Sequence, residues 1–525
     1  MAPTDSPAQP AGSPLGSPED ISSATDGSTA NRPAQITSAN AKPAEPRGAT
    51  TPTGGPKPAR ERGDMTQGAI LPTLVLFALP MLATNFFQQF YVTVDSMILG
   101  HWAGNVALAA VSSCSYLIST ITCFFFGVSL GAGVVLAQLF GARNYGRYGR
   151  AVWAAGVLAL VGGLIMTGVA WAISRPCLAL MNLQGEVLDA GTLYMRTYAC
   201  SMLPMVIYNM GSAVFRSRGD SRTPMVILII ASLFNLVLAY TFVAVLGMGV
   251  FGAGLATTLA QTLSATITLL RVRSQRELFH IAGVRPVVDG SIVRKMLSIG
   301  VPNGIQQTVI CLSSVIISSQ VNLYGVEAMD GFGAYSKIDG WLYMPVGAVQ
   351  GAITTFVGQN VGARRFDRAR RGVIAGVGVN VGITIVLVCA MWMLRYPVLG
   401  MFSPDPEVTR LGIEAMSVIV PLYFLYATYM AIGGLFFGVG STIVPMILAV
   451  AFMCVLRIAW VLSVQAIAPG LPGIYASYPV AWVFMVAGML AYYRWGTWTY
   501  KHEIQSGKSL AERAADTAPQ PLIER

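Results

Sequence analysis

Long stretches without charge dominate this sequence and limit what the chain can fold into. Mostly apolar runs of 20 or more residues recur from about residue 70 to residue 495. A helix needs about 20 apolar residues to cross the ~30 Å hydrocarbon core of a bilayer. Over the whole chain, 54% of residues are hydrophobic and 11% are charged, against roughly 25% charged residues in a soluble domain. The sequence therefore predicts an integral membrane protein.

Twelve membrane-spanning helices are predicted from these runs. Their approximate bounds are residues 71–99, 108–139, 151–174, 192–215, 224–246, 250–273, 293–322, 328–360, 372–395, 410–434, 443–466 and 473–495. A membrane β-barrel would instead show alternating segments of about ten residues. Because the runs are long, continuous and rich in Leu, Val, Ala and Gly, the predicted fold class is an all-α integral membrane protein.

The two ends of the chain differ in composition from its centre. Residues 1–63 consist mainly of Pro, Ala, Ser, Thr and Gly with few large apolar side chains, so they cannot bury enough surface to offset their ordering entropy. We expect residues 1–63 to form a disordered tail and residues 501–525 a second tail. Between them the sequence predicts an N-lobe (64–275, helices 1 to 6), a linker (276–292) and a C-lobe (293–500, helices 7 to 12).

Positive charges mark one side of the predicted membrane domain. Arginine clusters precede helix 1 and follow helices 2, 4, 6 and 8, whereas the loops after helices 1, 5, 7 and 11 contain no Lys or Arg. By the positive-inside rule, both termini are predicted to be cytoplasmic. The net charge of +10 is therefore explained by membrane topology. We expect the lipid bilayer as a partner and no binding to nucleic acid. We expect a monomer.

Motifs for catalysis are absent from the sequence. The seven cysteines are spread singly, with no CxxC pair and no histidine at ligand spacing, so neither a disulfide framework nor a resident metal is predicted. No GxxxxGK[ST], HExxH or GxSxG motif occurs, which argues against an ATP-driven pump and a membrane protease. We expect a protein that is not an enzyme and that has no cofactor.

An internal repeat sets the predicted architecture. LAQLFGARN at residues 136–144 reappears as VGQNVGARR at residues 357–365, an offset of 221. The same offset carries Gly104, Phe215, Gly219 and Pro224 onto Gly325, Phe436, Gly440 and Pro445. Because each half has six helices, both halves enter the membrane from the same side, and a pseudo-two-fold axis along the membrane normal relates them. Parallel repeats with a site at their interface are a transporter architecture.

Several motifs together carry a family resemblance. They are the Pro80 to Asp95 to Gly100 pattern in helix 1, GARN and GARR after helices 2 and 8, RGDSRTPM before helix 5, and GVPNGIQQ through TTFVGQNVGARR in the second half. Over about residues 66–500 the chain resembles the multidrug and toxic compound extrusion (MATE) family, and its bacterial DinF-like branch more than the NorM-like one. The resemblance implies two six-helix lobes around a central cavity in a bacterial inner membrane. It also implies export of organic, usually cationic or amphipathic, compounds in exchange for H⁺ or Na⁺.

The resemblance also indicates an ion-coupling site. It places Asp95, Asn209 and Asn235 in one polar cluster of the first lobe, where they would take up H⁺ or coordinate Na⁺. The family often has a second acid one turn after the helix 5 asparagine, and here that position is Ala239. Helix 7 lacks the acid of the NorM-like branch and offers Gln306 instead, which we predict to line the substrate cavity.

Ionisable residues deep in the bilayer are functional candidates because each costs about 2.5–3.5 kcal/mol to insert. In the second lobe, Tyr335, Asp339 and Tyr343 share a helical face, which suits a carboxylate lining a polar cavity. We therefore predict a substrate cavity that includes these three residues and Lys337. An interhelical salt bridge that fixes packing is the alternative for Lys337 and Asp339. Arg457 is expected to pack or to snorkel towards the interface.

Helix 1 contains the predicted switch. Pro80 removes one backbone hydrogen bond and allows the helix to bend, and protonation or ion occupancy of Asp95 would bias that bend. A carboxylate that only braces the kinked helix is the alternative.

Two other classes of transporter stay open. A lipid or lipid-linked oligosaccharide flippase of the same superfamily should have more cations in its cavity. A major-facilitator carrier should have Asp where GARNYGR has Tyr145.

Overall fold

The computed structural model describes residues 63–181, 183–277, 279, 288–401 and 405–506, and within these ranges the regular structure is entirely helical. The disordered tail predicted at residues 1–63 lies, apart from Gly63, outside the described part of the chain, and so do residues 507–525 of the tail predicted at 501–525. The first half contains α1 (Ile70–Trp102), α2 (Gly104–Gly141), α3 (Tyr145–Leu180), α4 (Gly185–Ala199), α5 (Met202–Ser217), α6 (Arg222–Ala239) and α7 (Gly249–Ser274). A π-helical turn, Tyr240–Val245, extends α6.

The second half repeats this order with more interruptions. Its helices are α8 (Gly290–Asn322), α9 (Val326–Gly362), α10 (Phe366–Met393), α11 (Arg395–Gly400), α12 (Pro406–Ile419), α13 (Tyr423–Val439), α14 (Ile443–Ala449), α15 (Arg457–Ile467), α16 (Leu471–Tyr475), α17 (Ser477–Trp495) and α18 (Lys501–Ser506). A 3₁₀ turn, Val420–Leu422, joins α12 to α13, and a π-helical segment, Val450–Leu456, joins α14 to α15.

These helices account for the twelve predicted spans. Ten described stretches are long and apolar enough to cross a membrane, and α4 with α5, bent by 42°, supplies an eleventh. The twelfth is α9, which at 37 residues is about 55 Å long but carries four charged residues within its first 14 positions. Predicted helix 4 (192–215) is thus broken, and Pro204 lies just after its break. Predicted helices 10, 11 and 12 are interrupted as well.

The repeat is visible in the backbone. Arg143 and Arg364, 221 residues apart, both have positive φ, at 52° and 57°. The N–H group of the next residue bonds to the carbonyl five residues earlier, at 3.1 and 2.8 Å. This is the Schellman motif, in which glycine normally occupies the left-handed position. The glycine pairs of the repeat also have positive φ in both halves: Gly104 with Gly325, and Gly219 with Gly440. The predicted parallel repeat is confirmed.

The two hydrophobic cores do not coincide with the two halves of the sequence. The core formed mainly by the second half of the chain also contains Leu74 and Phe77 from the start of α1. The core formed mainly by the first half also contains Met296 and Ile299 from the start of α8. The first turns of α1 and α8 therefore each contribute to the core of the opposite half, and Ile504 of α18 is buried in the core of the second half. The lobe boundaries at residues 64, 293 and 501 stay predictions.

The lobes meet along α2 and α8 through four glycines. Gly127 and Gly131 of α2 face Gly304 and Gly300 of α8, and a Cβ atom at Gly127 or Gly131 would overlap the opposite backbone. Small residues four apart let two membrane helices approach closely. The seam therefore sets the spacing between the lobes.

Candidate functional site

Asp95 lies in α1, half-buried between membrane-spanning helices. Its Oδ1 atom is buried and accepts no hydrogen bond from any residue that the structure describes. Tyr91, one turn earlier in α1, and Tyr194 and Tyr198 of α4 are close enough for the charge of Asp95 to act on them. The carboxyl group therefore has phenol groups as its polar neighbours.

The two asparagines of the predicted ion site lie in adjoining spaces. Asn235 of α6 is 2% exposed, its Nδ2 donates to Thr257 Oγ1 at 3.4 Å, and it lines a narrow cleft together with Tyr91. Asn209 of α5 lines a separate polar cavity, and Gln261 of α7 belongs to the walls of both. Asp95 lines neither space, although its neighbour Tyr91 reaches the cleft. The joint ion site of Asp95, Asn209 and Asn235 stays a prediction.

The cavity around Asn209 is polar and small. Its described walls include Asn85 and Gln88 of α1, Gln261, and the guanidinium-bearing Arg216, but no acid. At about 50 Å³ it falls well below the roughly 300–1,000 Å³ of pockets that bind drug-sized ligands. An organic substrate would therefore need side-chain or lobe movement to enter it.

Arg216 was not recognised as a cavity residue from the sequence. The cluster of Arg216, Arg218 and Arg222 predicts a positively charged loop after helix 4. In the structure, Arg216 still belongs to α5, and its Nε donates to the carbonyl of Ser212, one turn earlier, at 3.2 Å. Four-residue spacing from Ser212 is the only sequence signal for this arrangement, and it is a weak one.

Asp339 of α9 forms the centre of a second polar cluster. Tyr335 is 1% exposed, and its hydroxyl donates to Asp339 Oδ1 at 3.2 Å, as the shared helical face suggests. Tyr423 of α13 also approaches this carboxyl group, and the charge of Arg457 acts on it. Asp339 thus has both a hydrogen-bond donor and a nearby cation.

Arg457 is buried rather than snorkelling. The residue is 3% exposed, and its guanidinium carbon lies 4.0 Å from the ring centroid of Tyr478. It begins α15, where the π-helical segment ends. Of the two expectations for Arg457, packing and snorkelling, the structure shows packing: the guanidinium lies on an aromatic face, and the charge of Arg457 acts on Asp339.

The other predicted cavity residues occupy different surroundings. Lys337 lies on an exposed side of α9. Tyr343 is 40% exposed, with its ring centroid 6.1 Å from that of Tyr426. Gln306 of α8 is 3% exposed, and its Oε1 has no hydrogen-bond partner among the described residues. Their roles in substrate binding stay predictions.

Pro80 is buried in the middle of α1, which continues through it as one helix of 33 residues. The hydroxyl of Thr84 donates to the carbonyl of Pro80 at 2.8 Å. The role of Pro80 as a bending point stays a prediction.

A symmetric pair of hydrogen bonds joins the lobes at what we call the terminal face, where the described chain begins and where α2, α5, α9 and α13 end. Gln138 Nε2 donates to the carbonyl of Gly438 at 2.9 Å, and Gln359 Nε2 donates to the carbonyl of Ser217 at 2.8 Å. The two donors are 221 residues apart in the sequence, and so are the two acceptors. Both glutamines belong to the repeated motif, whose function the sequence did not reveal.

The segment 63–68 lies across the same junction. Met65 is 2% exposed, and its N–H donates to Gln359 Oε1 at 2.8 Å. Arg368 donates to the carbonyls of residues 65, 67 and 68 at 2.6–3.1 Å. On the first-lobe side, Asp64 lies 3.9 Å from Arg143. The segment therefore contacts both lobes and covers their junction at the terminal face.

Comparisons with known proteins agree with this architecture. The sequence model of the MatE family matches twice, over residues 80–241 and 302–461, one match for each repeat. Probable multidrug resistance protein YpnP of Bacillus subtilis is 28% identical over 438 residues, which cover 83% of this chain and 97% of that protein. Probable multidrug resistance protein YoeA of the same organism is 25% identical over 440 residues, covering 82% and 94%.

Solved structures share the fold. One is an outward-facing conformation of a multidrug resistance MATE family transporter of the MOP superfamily. It superposes with a TM-score of 0.77 at 20% identity, covering 85% of this chain and 99% of that chain. The family model covers more than half of the residues, so the chain belongs to the MatE family. It is a multi-pass membrane transporter and not an enzyme, and the resemblance in its motifs is confirmed.

Proposed function

We propose that this protein is a secondary active multidrug exporter. It moves organic, cationic or amphipathic compounds out of the cell in exchange for H⁺ or Na⁺, without ATP. It resides in a bacterial inner membrane as a monomer with both termini in the cytoplasm. Membership of the MatE family and the names of the relatives support export. The observation that carries the coupling is the buried Oδ1 of Asp95, which accepts no hydrogen bond from a described residue.

The surroundings of Asp95 suit reversible loading. A carboxylate with an unsatisfied buried oxygen is costly, so uptake of H⁺ or Na⁺ would relieve that cost. One charge moving down a 100 mV potential supplies about 2.3 kcal/mol. A tenfold gradient of substrate costs about 1.4 kcal/mol. One coupling ion therefore supports accumulation by some tens-fold.

Asp339 supports substrate binding or packing rather than coupling. The charge of Arg457 acts on Asp339, whereas Asp95 has no such cation among its described neighbours. A flippase for lipid diphosphates would need several cations in its cavity, and Arg216 is the one cation in the described walls of the first-lobe cavity. Export of organic compounds is the function that these residues favour.

Gradient-driven transport in vesicles tests this proposal. Purified protein is reconstituted, and movement of a fluorescent organic cation is followed under an imposed ΔpH or Na⁺ gradient. Asp95→Asn should abolish gradient-driven transport while substrate binding, measured by fluorescence polarisation, persists. The matched control is Asp330→Asn, which neutralises an exposed acid of α9 and should transport normally. Wild-type transport by Asp95→Asn, with the same dependence on both gradients, would transfer the coupling role to Asp339.

A further inference from the structure

A basic cavity lies between the lobes at the terminal face. It has a volume of about 370 Å³, and its walls come from α2, α3 and α8 on one side and from the ends of α9, α10 and α18 on the other. Its polar lining includes Gln138, Arg147, Ser291, Lys295, Arg364 and Glu503. The volume lies within the roughly 300–1,000 Å³ of ligand-binding pockets, and the predicted coupling and substrate residues lie elsewhere.

The charges in this cavity are unbalanced. Arg147, Lys295 and Arg364 contribute three positive charges, and Glu503 is the one acid among the described lining residues. Lys295 Nζ donates to Gln138 Oε1 at 3.2 Å, which leaves its charge without a counterion at that contact. Arg147 lies close enough for its like charge to act on Lys295. An anion in the cavity would relieve this repulsion.

Comparison of the two repeats singles out Arg364. Its equivalent, Arg143, lies 3.9 Å from Asp64, whereas Arg364 has no acid within ion-pair distance in the described part of the chain and lines the cavity. Arg364 also keeps a left-handed backbone, φ 57°, at a position where glycine would be free of strain. Arg143 shares this conformation, φ 52°, so the position of its side chain and not its backbone distinguishes Arg364.

The start of α8 contributes its helix dipole to the same wall. Ser291 and Ile292 belong to the first turn, where the dipole attracts anions, although their N–H groups already donate to Asp289. The nearby acid Asp289 caps this turn by accepting hydrogen bonds from Ser291, which hold its carboxyl pKa below the usual range. Asp289 also lies 3.6 Å from Arg150, outside the cavity, so its charge is already paired.

We propose that this cavity binds a phosphate group, supplied by the headgroup of an anionic phospholipid or by a soluble phosphate compound. Arginine side chains bind phosphate oxygens through paired N–H groups, and lysine binds them as a point charge. Arg147 and Lys295 approach from one side of the junction and Arg364 from the other. A bound phosphate therefore holds the lobes together at the terminal face and favours the state in which that face is closed.

Thermal unfolding of the full-length protein tests the site without measuring transport. One arm compares Tm in detergent with inorganic phosphate and with chloride at equal ionic strength. The other compares nanodiscs of phosphatidylcholine alone with nanodiscs that also contain phosphatidylglycerol. We expect Tm to rise by a few degrees with the anion, because a ligand that binds only the folded state stabilises it. A shift in the first arm indicates soluble phosphate, and a shift only in the second indicates a lipid headgroup.

Variants separate phosphate binding from general charge effects. Arg364→Gly should raise the Tm of the protein without ligand, because it removes backbone strain, and should abolish the anion-dependent shift. Lys295→Gln should reduce the shift. The control Arg370→Gln removes an exposed charge of α10 that does not line the cavity, and it should leave the shift unchanged. Absence of a shift in both arms, or an undiminished shift in Arg364→Gly and Lys295→Gln, would overturn the proposal.

Discussion

Asp95 and Asp339 differ in their electrostatic surroundings although both lie in membrane-spanning helices. Asp339 accepts a hydrogen bond from Tyr335 and interacts with Arg457, whereas Asp95 Oδ1 accepts no hydrogen bond from a described residue. A buried cation such as Arg457 is less costly where a negative charge acts on it. A carboxyl group without a nearby cation can bind or release H⁺ or Na⁺ without leaving another buried charge uncompensated.

The two acids should therefore respond differently to neutralisation. Asp339→Asn removes the negative charge that acts on the buried Arg457, and a buried charge that loses its compensating charge is destabilised, so we expect a lower Tm and a lower yield of purified protein. Asp95→Asn should keep a Tm near that of the wild type. Thermal unfolding in detergent measures both. The double variant Asp339→Asn with Arg457→Met should recover much of the loss, and a stable Asp339→Asn single variant would show that the interaction is not structural.

Some of these residues could be predicted from the sequence and others could not. The depth of Asp95 follows from the length of its apolar run, and the contact of Tyr335 with Asp339 follows from four-residue spacing. Arg216 could not be placed, because an arginine near a helix end is equally consistent with a loop or a cavity wall, and the spacing of Arg457 within its apolar run did not decide between packing and snorkelling. Only neighbouring helices decide between these positions.

At the scale of helices, lengths and order were predictable but interruptions were not. The apolar run predicted at residues 443–466 contains a π-helical segment between two α-helices, and the residues there are as apolar as their neighbours. Composition sets the cost of membrane insertion, whereas a π-bulge depends on side-chain packing in the folded bundle. The exchange of the first halves of α1 and α8 between the lobes also depends on contacts distant in sequence.

The glycine seam between α2 and α8 should tolerate no added methyl group. A Cβ atom at Gly131 would overlap the backbone at Gly300, and overpacking typically costs about 1–3 kcal/mol, so Gly131→Ala should lower Tm. The control is Gly378→Ala in α10, where a Cβ atom meets open space. Because alanine favours a helix over glycine by about 1 kcal/mol, the control should unfold at the same or a higher temperature. Equal effects of the two substitutions would contradict close packing at the seam.

For the whole molecule, alternating access requires that the contacts at one face be strong enough to hold it closed and weak enough to release. At the terminal face these contacts are the bonds from Gln138 and Gln359 to the opposite lobe, together with the segment 63–68. A two-fold pair of equivalent bonds forms and breaks together, since one rigid-body rotation separates both acceptors from their donors. The repeat thus supplies a two-state junction as well as two similar lobes.

Removal of both glutamine side chains should shift the molecule towards opening at the terminal face. A hydrogen bond contributes about 1 kcal/mol net, so loss of two changes the ratio of closed to open molecules by roughly 30-fold. Spin labels at Gly146→Cys and Arg371→Cys, both exposed positions outside the basic cavity, in a cysteine-free background report the separation by pulsed EPR. We expect one narrow distance distribution in the parent and a second, longer population in Gln138→Ala with Gln359→Ala. Gln465→Ala, which removes a bond to the carbonyl of Gly470 within the second lobe, should keep the parent distribution. If the double glutamine variant also keeps it, these bonds do not control closure, and segment 63–68 becomes the element to test.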